Sequence, residues 1–401
     1  MRAALLLSVS LFAAPAALAQ SIDNEQYELR GVSAETQIEA DWAHDAAATA
    51  VASGNSLAAA ASSADVEISN DQHMDGDASA DTDAVVWHAS SVVNASSAAV
   101  ANGATATAEN GDITANSQQL AHGDANAATR LVTGDAYHAA SSASASGNVT
   151  ALAAQNGDIS AVLAQESTGA VSASAESDLC CIAGQAVSGA IASANNVTAS
   201  GYTTTMQTDV TQTAGGAGVR ANVDLYAGYV TDASGNATAN ANAVTIDNQW
   251  GYANARVNQS SSADVEANSF VTLGGDFLGF ASAGAYGVGN AATLSNVGSD
   301  TVFDTMQVNA GDISANAALS GAGGQTALAS SAAYGNSVSG ALCSYCDAGA
   351  PGLSASNQQV NSGDVRASSV IVTPYATSVG ASATAIGNAA TYQVTGSNGG
   401  G

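Results

Sequence analysis

Gln307-Val308-Asn309-Ala310-Gly311-Asp312-Ile313-Ser314-Ala315 is one variant of a phrase that recurs along nearly the whole chain. The phrase is a Gln, three variable residues, a Gly or Ala, usually an acid, and then small and apolar residues in alternation. Further copies begin at Gln72, Gln119, Gln165, Gln212, Gln259 and Gln359, with a degenerate first copy at Gln26; successive spacings are 46, 47, 46, 47, 47, 48 and 52 residues. So constant a period marks a repeat architecture, in which each unit buries its apolar side only by stacking on its neighbours. The expected fold is all-β, an elongated β-solenoid or β-helix built from about eight repeats of this 47-residue spacing. In such a stack the recurrent Gln forms a ladder of side-chain amides, each hydrogen-bonding to the ones above and below.

Alternation with a period of two supports strands. Ile313, Ala315, Ala317 and Leu319 fall on one face, as do Val265, Ala267, Ser269, Val271 and Leu273, and again Val365, Ala367, Ser369 and Ile371. Ala is the best helix former, so the Ala-rich stretches invite a helical reading. The interleaved Ser, Thr, Asn and Gly, in phase with the repeat, decide for strand. A second marker follows each Gln, an Ala-rich run closing in Gly-Asn, as at Gly54-Asn55, Gly147-Asn148, Gly289-Asn290, Gly335-Asn336 and Gly387-Asn388. These dipeptides favour positive backbone angles and are expected to form tight turns at strand ends. A third marker, such as Asn110-Gly111-Asp112-Ile113, precedes the next Gln in the early units. Each period therefore holds about three strand-and-turn pieces, arranged either as one large three-sided coil or as three small ones.

The chain opens with Arg2, an apolar run through Phe12, and Ala17-Leu18-Ala19 before Gln20, which reads as a secretory signal peptide over residues 1–19. Residues 20–45, richer in charge, are expected to cap the solenoid, residues 46–396 to form it, and residues 397–401 to be a flexible tail. The spacing before Gln359 implies an insertion near Cys343 to Gly352. Large apolar residues are scarce, a composition that ordinarily accompanies disorder. The repeat overrides this, because regular stacking supplies many backbone hydrogen bonds at about 1 kcal/mol each.

The formal net charge is −28, and Lys is absent. Such a surface repels nucleic acid and anionic membranes and keeps an exported chain soluble. The cysteines, Cys180-Cys181 and Cys343-x-x-Cys346, read as disulfide partners in an oxidising compartment, with three pairings open. The recurrent acids Asp77, Asp124, Asp264, Asp312 and Asp364 are expected to form a solvated row on one side of the stack. Asp75-Gly76-Asp77 and Asp81-Thr82-Asp83 offer oxygen ligands without the spacing of a calcium loop. His44, His73, His88, His122 and His138 show no ligand spacing and read as scattered surface residues, so no metal or cofactor is expected. A sugar-cleaving site would combine carboxylates with a Lys or Arg. The arginines lie singly through the repeats, and the sequence offers no catalytic constellation.

The leader-like start, the Ala/Ser/Asn/Gly-rich repeats, the lysine-poor acidic surface and the closing stretch Ala383-Thr384-Ala385-Ile386-Gly387-Asn388-Ala389-Ala390-Thr391-Tyr392 resemble the holdfast attachment protein D family of stalked alphaproteobacteria. That resemblance implies an exported protein on the outer-membrane surface that ties adhesive holdfast polysaccharide to the envelope, alongside a curli-subunit-like protein and a secretion-channel lipoprotein. It brings no catalytic residues. The residues alone reach a compatible expectation, a stackable secreted solenoid suited to adhesion or to self-association into a surface layer or amyloid-like filament.

Overall fold

The computed structural model describes residues 20–344 and 351–396, so the leader, the tail and Cys346 lie outside the described residues. The described chain is a β-solenoid with no helix, and one 47-residue period makes one large coil rather than three small ones. Each coil has three strand segments. In the second coil these are Val66–Met74, Ala78–Ala89 and Val92–Glu109. Equivalent strands of successive coils pair in parallel and in register, Gln72 against Gln26 and Gln119 for example. Three rows of rungs result.

The first row is an eight-stranded sheet running from Gln20–Glu28 to Leu353–Asn361. The second and third rows are joined into a fourteen-stranded sheet, because in the fourth and fifth coils one continuous strand, Val171–Tyr202 and then Val219–Gln249, serves both. Residues 20–45 carry Gln20–Glu28 and Val32–Ala43, which pair rung for rung with the second coil.

The third-row strand is nearly as long as the other two together and folds back over both. Its first half packs on the second row around Ala, Val and Leu, including Ala48, Ala50, Ala80 and Val86. Its second half packs on the first row around larger groups, including Ile113, Leu163, Ile246, Leu294 and Phe303. The period-two alternation is what places these side chains inside: Ile313, Ala315, Ala317 and Leu319 are all buried. In the last coil the same positions, Val365 to Ile371, are only half-buried, since no rung covers them.

The Gly-Asn dipeptides are not turns. Gly147-Asn148 and Gly289-Asn290 lie in the middle of His138–Gln155 and Phe280–Val297, and none of these glycines has a positive φ. They mark a bend where alternation slips by one residue, so that both members of the pair point inward. Rung pairing skips the residue before the Asn in each coil, for example between Val100–Ser146 and Asn102–Asn148. At Gly289 a Cβ would sit 2.5 Å from the Asn309 side-chain oxygen, so the bend leaves little room there for a larger residue. The non-glycine residues with positive φ stand instead at the turn between one coil and the next, Ser63, Asn110, Asn156, Thr203 and Trp250, with Gly298 at the same place. This is where the Asn-Gly marker falls. The insertion before Gln359 falls in sequence between the last strand of the seventh coil, Gly324–Cys343, and the first of the eighth, Leu353–Asn361, and residues 345–350 of it lie outside the described residues.

Candidate functional site

The bend and the first-row Gln meet in the interior. From Gln72 to Gln359 each Gln Nε2 donates to the Oε1 of the Gln one coil earlier, at 2.7–2.9 Å. Its second N–H reaches a third-row carbonyl just past the bend, as Gln212 does to Ala243 at 3.0 Å. The bend asparagines form a second ladder. Asn55, Asn102, Asn148, Asn195, Asn242, Asn290 and Asn336 each donate to the Asn one coil later at 2.7–2.8 Å. Their second N–H groups return to the first row, as Asn242 does to the Ser260 carbonyl at 2.9 Å. Two amide ladders of opposite polarity thus cross-brace the first and third rows, and nearly all of their polar atoms are satisfied in a buried setting.

Within the described residues both ladders run from the first coil to the last. At the first coil, Gln26 uses one N–H on the Ser56 carbonyl, and among the described residues no rung lies beneath it and no donor meets the Asn55 oxygen from below. At the last coil, among the described residues, no further amide extends the ladders beyond Gln359 and Asn388. The row edges at both ends expose backbone that pairs on one side only.

The acid rows occupy the corners between strands. Asp124 N–H donates to Asp77 at 2.9 Å, Asp312 to Asp264 at 2.9 Å and Asp364 to Asp312 at 2.9 Å. Each carboxylate satisfies a corner N–H that regular rung pairing leaves over, which offsets the repulsion between stacked like charges. Arg130, Arg220 and Arg256 pair with Asp83, Glu266 and Asp209 of an adjacent coil, all at partly exposed positions. Such pairs contribute little to stability.

The corner between the second and third rows exposes a large aromatic side chain in six of the eight coils. Trp42, Trp87, Tyr137, Tyr229, Phe280 and Tyr375 stand there in the first, second, third, fifth, sixth and eighth coils, with exposures from 38% for Phe280 to 68% for Trp42. Glycines lie beneath several of them. A Cβ on Gly134 would meet the Trp87 carbonyl at 2.5 Å, and one on Gly323 would enter the Tyr375 ring. From first to last coil this line covers seven rungs, about 34 Å at the usual strand spacing. The sequence reading overlooked it, since different aromatic residues appear at irregular intervals in a corner of variable length.

The same corner carries Cys180 and Cys181, both exposed, with sulfurs 2.8 Å apart; the Cys180 thiol beside it pushes the Cys181 thiol up. Cys343 lies three coils further on, at the end of Gly324–Cys343. Three rungs are roughly 14 Å, beyond the span of a disulfide, so neither Cys180 nor Cys181 reaches Cys343 within one chain. Histidines that looked scattered do not all remain so: His73 and His122 converge on Asp75. Their separation of 49 residues is one coil plus two, a spacing with no meaning until the coil length is known.

The sequence profile of the family described as Holdfast attachment protein D matches residues 40–313. The match covers more than half of the chain and ends before the Ala383–Tyr392 stretch that contributed to the resemblance. Searches of curated proteins and of solved structures return no match. A parallel solenoid whose coils repeat throughout the matched region, together with that profile, makes the chain a member of the holdfast attachment protein D family.

Proposed function

We propose that this protein is a non-enzymatic structural element of the cell surface that fixes holdfast polysaccharide to the outer envelope, with the aromatic corner as its sugar-binding edge. The observation that carries the reading is the line of exposed Trp, Tyr and Phe along a single corner. Sugar rings present C–H faces that pack on aromatic faces, and their hydroxyls remain free to bond with the flanking polar groups. Tyr and Trp suit a contact that is apolar on one side and wet on the other, and aromatic side chains exposed repeatedly along one corner mark an interaction site. Export, outer-membrane association and partnership with curli-like and secretion-channel proteins belong to the same proposal and rest on family membership.

The test is a triple substitution, Trp87→Ala, Tyr137→Ala and Tyr229→Ala. All three side chains are exposed, so folding and export should persist. Cells carrying the variant should shed labelled holdfast polysaccharide into the medium. Retention equal to the parent protein would overturn the assignment of this corner.

A second reading is favoured by the open ladders. If the last coil of one copy meets the first coil of another, the Gln26 N–H faces the Gln359 carbonyl and the Asn388 N–H faces the Asn55 carbonyl. Both ladders would continue with correct polarity, and the three rows of backbone would pair across the junction. Such a head-to-tail contact does not close on itself and builds a filament. Eight coils predict an axial repeat of about 38 Å. A purified chain that stays monomeric at high concentration, with no filaments by electron microscopy, would remove this reading and leave the aromatic corner untouched.

A further inference from the structure

We propose that His73, Asp75 and His122 form a binding site for a borderline divalent transition metal ion, Zn2+ being the ion this donor set fits, and that the ion staples the second coil to the third. His73 is the penultimate residue of the first-row strand Val66–Met74, Asp75 follows that strand, and His122 follows the equivalent strand Ile113–Ala121. Met74 pairs with Ala121, so Asp75 and His122 occupy equivalent places one rung apart. The stack therefore brings the three groups together without a loop of their own.

Three donor atoms converge. His73 Nε2 lies 2.8 Å from Asp75 Oδ1, His122 Nδ1 lies 3.0 Å from the same oxygen, and the two ring nitrogens are 3.1 Å apart. A tetrahedral Zn2+ with bonds of about 2.0 Å separates its ligand atoms by about 3.3 Å, so the ion seats with shifts of a few tenths of an ångström. Protons fit the triangle less well. If both ring nitrogens carry hydrogen, the two N–H groups crowd each other; if one does not, its lone pair faces the carboxylate.

The donor set also selects the ion. Two imidazoles and one carboxylate suit zinc and its neighbours, whereas calcium and magnesium require more oxygen ligands. The rings are positioned before any ion arrives: His73 and His122 meet edge to face with centroids 4.8 Å apart, and the Tyr27 ring lies 5.7 Å from His73. Side-chain exposures of 24%, 44% and 40% for His73, Asp75 and His122 leave the site open to solvent and to a water as fourth ligand. Acids close by, including Glu25 and Asp71 beside Tyr27, draw cations toward it.

Titration calorimetry of the untagged full chain with Zn2+, in the presence of excess Mg2+, tests the site. One equivalent should bind, and hydrogen exchange should slow at residues 73–76 and 121–124. His122→Ala and Asp75→Asn should each weaken binding by more than the roughly 10–100-fold that loss of an outer-shell partner costs, while His44→Ala leaves it unchanged. These side chains are exposed, and circular dichroism of each variant without metal verifies the fold. Binding that survives His122→Ala, or that Mg2+ displaces, would show only general attraction of cations to the acidic surface and would overturn the proposal.

Discussion

Removing one interior amide tests the ladders most sharply. Gln212 is fully buried at the middle of the stack. Its Nε2 donates to Gln165 Oε1 at 2.9 Å and to the Ala243 carbonyl at 3.0 Å, and its Oε1 accepts from Gln259 Nε2 at 2.8 Å. Gln212→Ala deprives three buried groups of a partner and leaves a void. At about 1–3 kcal/mol for each buried group left unsatisfied, with partial relaxation, the expected cost is about 3–5 kcal/mol. Gln207→Ala, on the exposed face of the same strand, should cost no more than about 0.5 kcal/mol. Urea unfolding followed by circular dichroism gives both values. Because a repeat array can open in parts, hydrogen exchange should locate the weakened rungs at Ile159–Ser167, Met206–Ala214 and Ala253–Ser261. Equal costs for the two variants would refute the claim that the ladder stabilises the stack.

Thr203 and Trp250 hold φ of 54° and 63° at the turn where Asn110 and Asn156 stand in earlier coils. Side chains other than Gly, Asn and Asp are strained there, so Thr203→Asn and Trp250→Asn should each raise stability by about 1 kcal/mol in thermal unfolding. Gly216 has φ of 78°, and a Cβ would lie 1.7 Å from the Thr168 carbonyl. Gly216→Ala should therefore destabilise by at least about 1–2 kcal/mol, measured in the same assay. The Tyr375 hydroxyl donates to Asp276 two coils away at 2.6 Å, and that bond raises the phenol above its ordinary value of 10.0. A raised folded-state value means the contribution is complete below the unfolded value and lost as pH climbs through the folded one. The last coil should accordingly fray in strong alkali, seen as faster hydrogen exchange in Ala376–Thr395, and Tyr375→Phe should remove the component that tracks tyrosinate absorbance.

Much of the fold is legible in the sequence because a solenoid writes its geometry as a period. A Gln that recurs at the coil length must lie above its predecessor, and alternation from Val265 to Leu273 states which side is inward. Gly-Asn misled because the dipeptide is suited to two jobs, turning a chain and bending a strand around a small residue. Only the ladder from Asn55 to Asn388 distinguishes them, and its bonds join residues 46 to 52 apart. The aromatic corner and the His73–Asp75–His122 cluster were hidden for a related reason: their members are neighbours only after the coils stack.

The central claim is that the chain forms one continuous stack with a coil for each period. Gln118 and Gln358 are exposed and lie in the same first-row column, five rungs apart through Ala164, Thr211, Asn258 and Met306. Nitroxides placed at these two positions, in a variant without the native cysteines, measure the stack by pulsed electron resonance. A single narrow backbone separation of about 24 Å, five strand spacings, is expected once the label arms are allowed for. A broad distribution, or a separation beyond about twice that value, would contradict it.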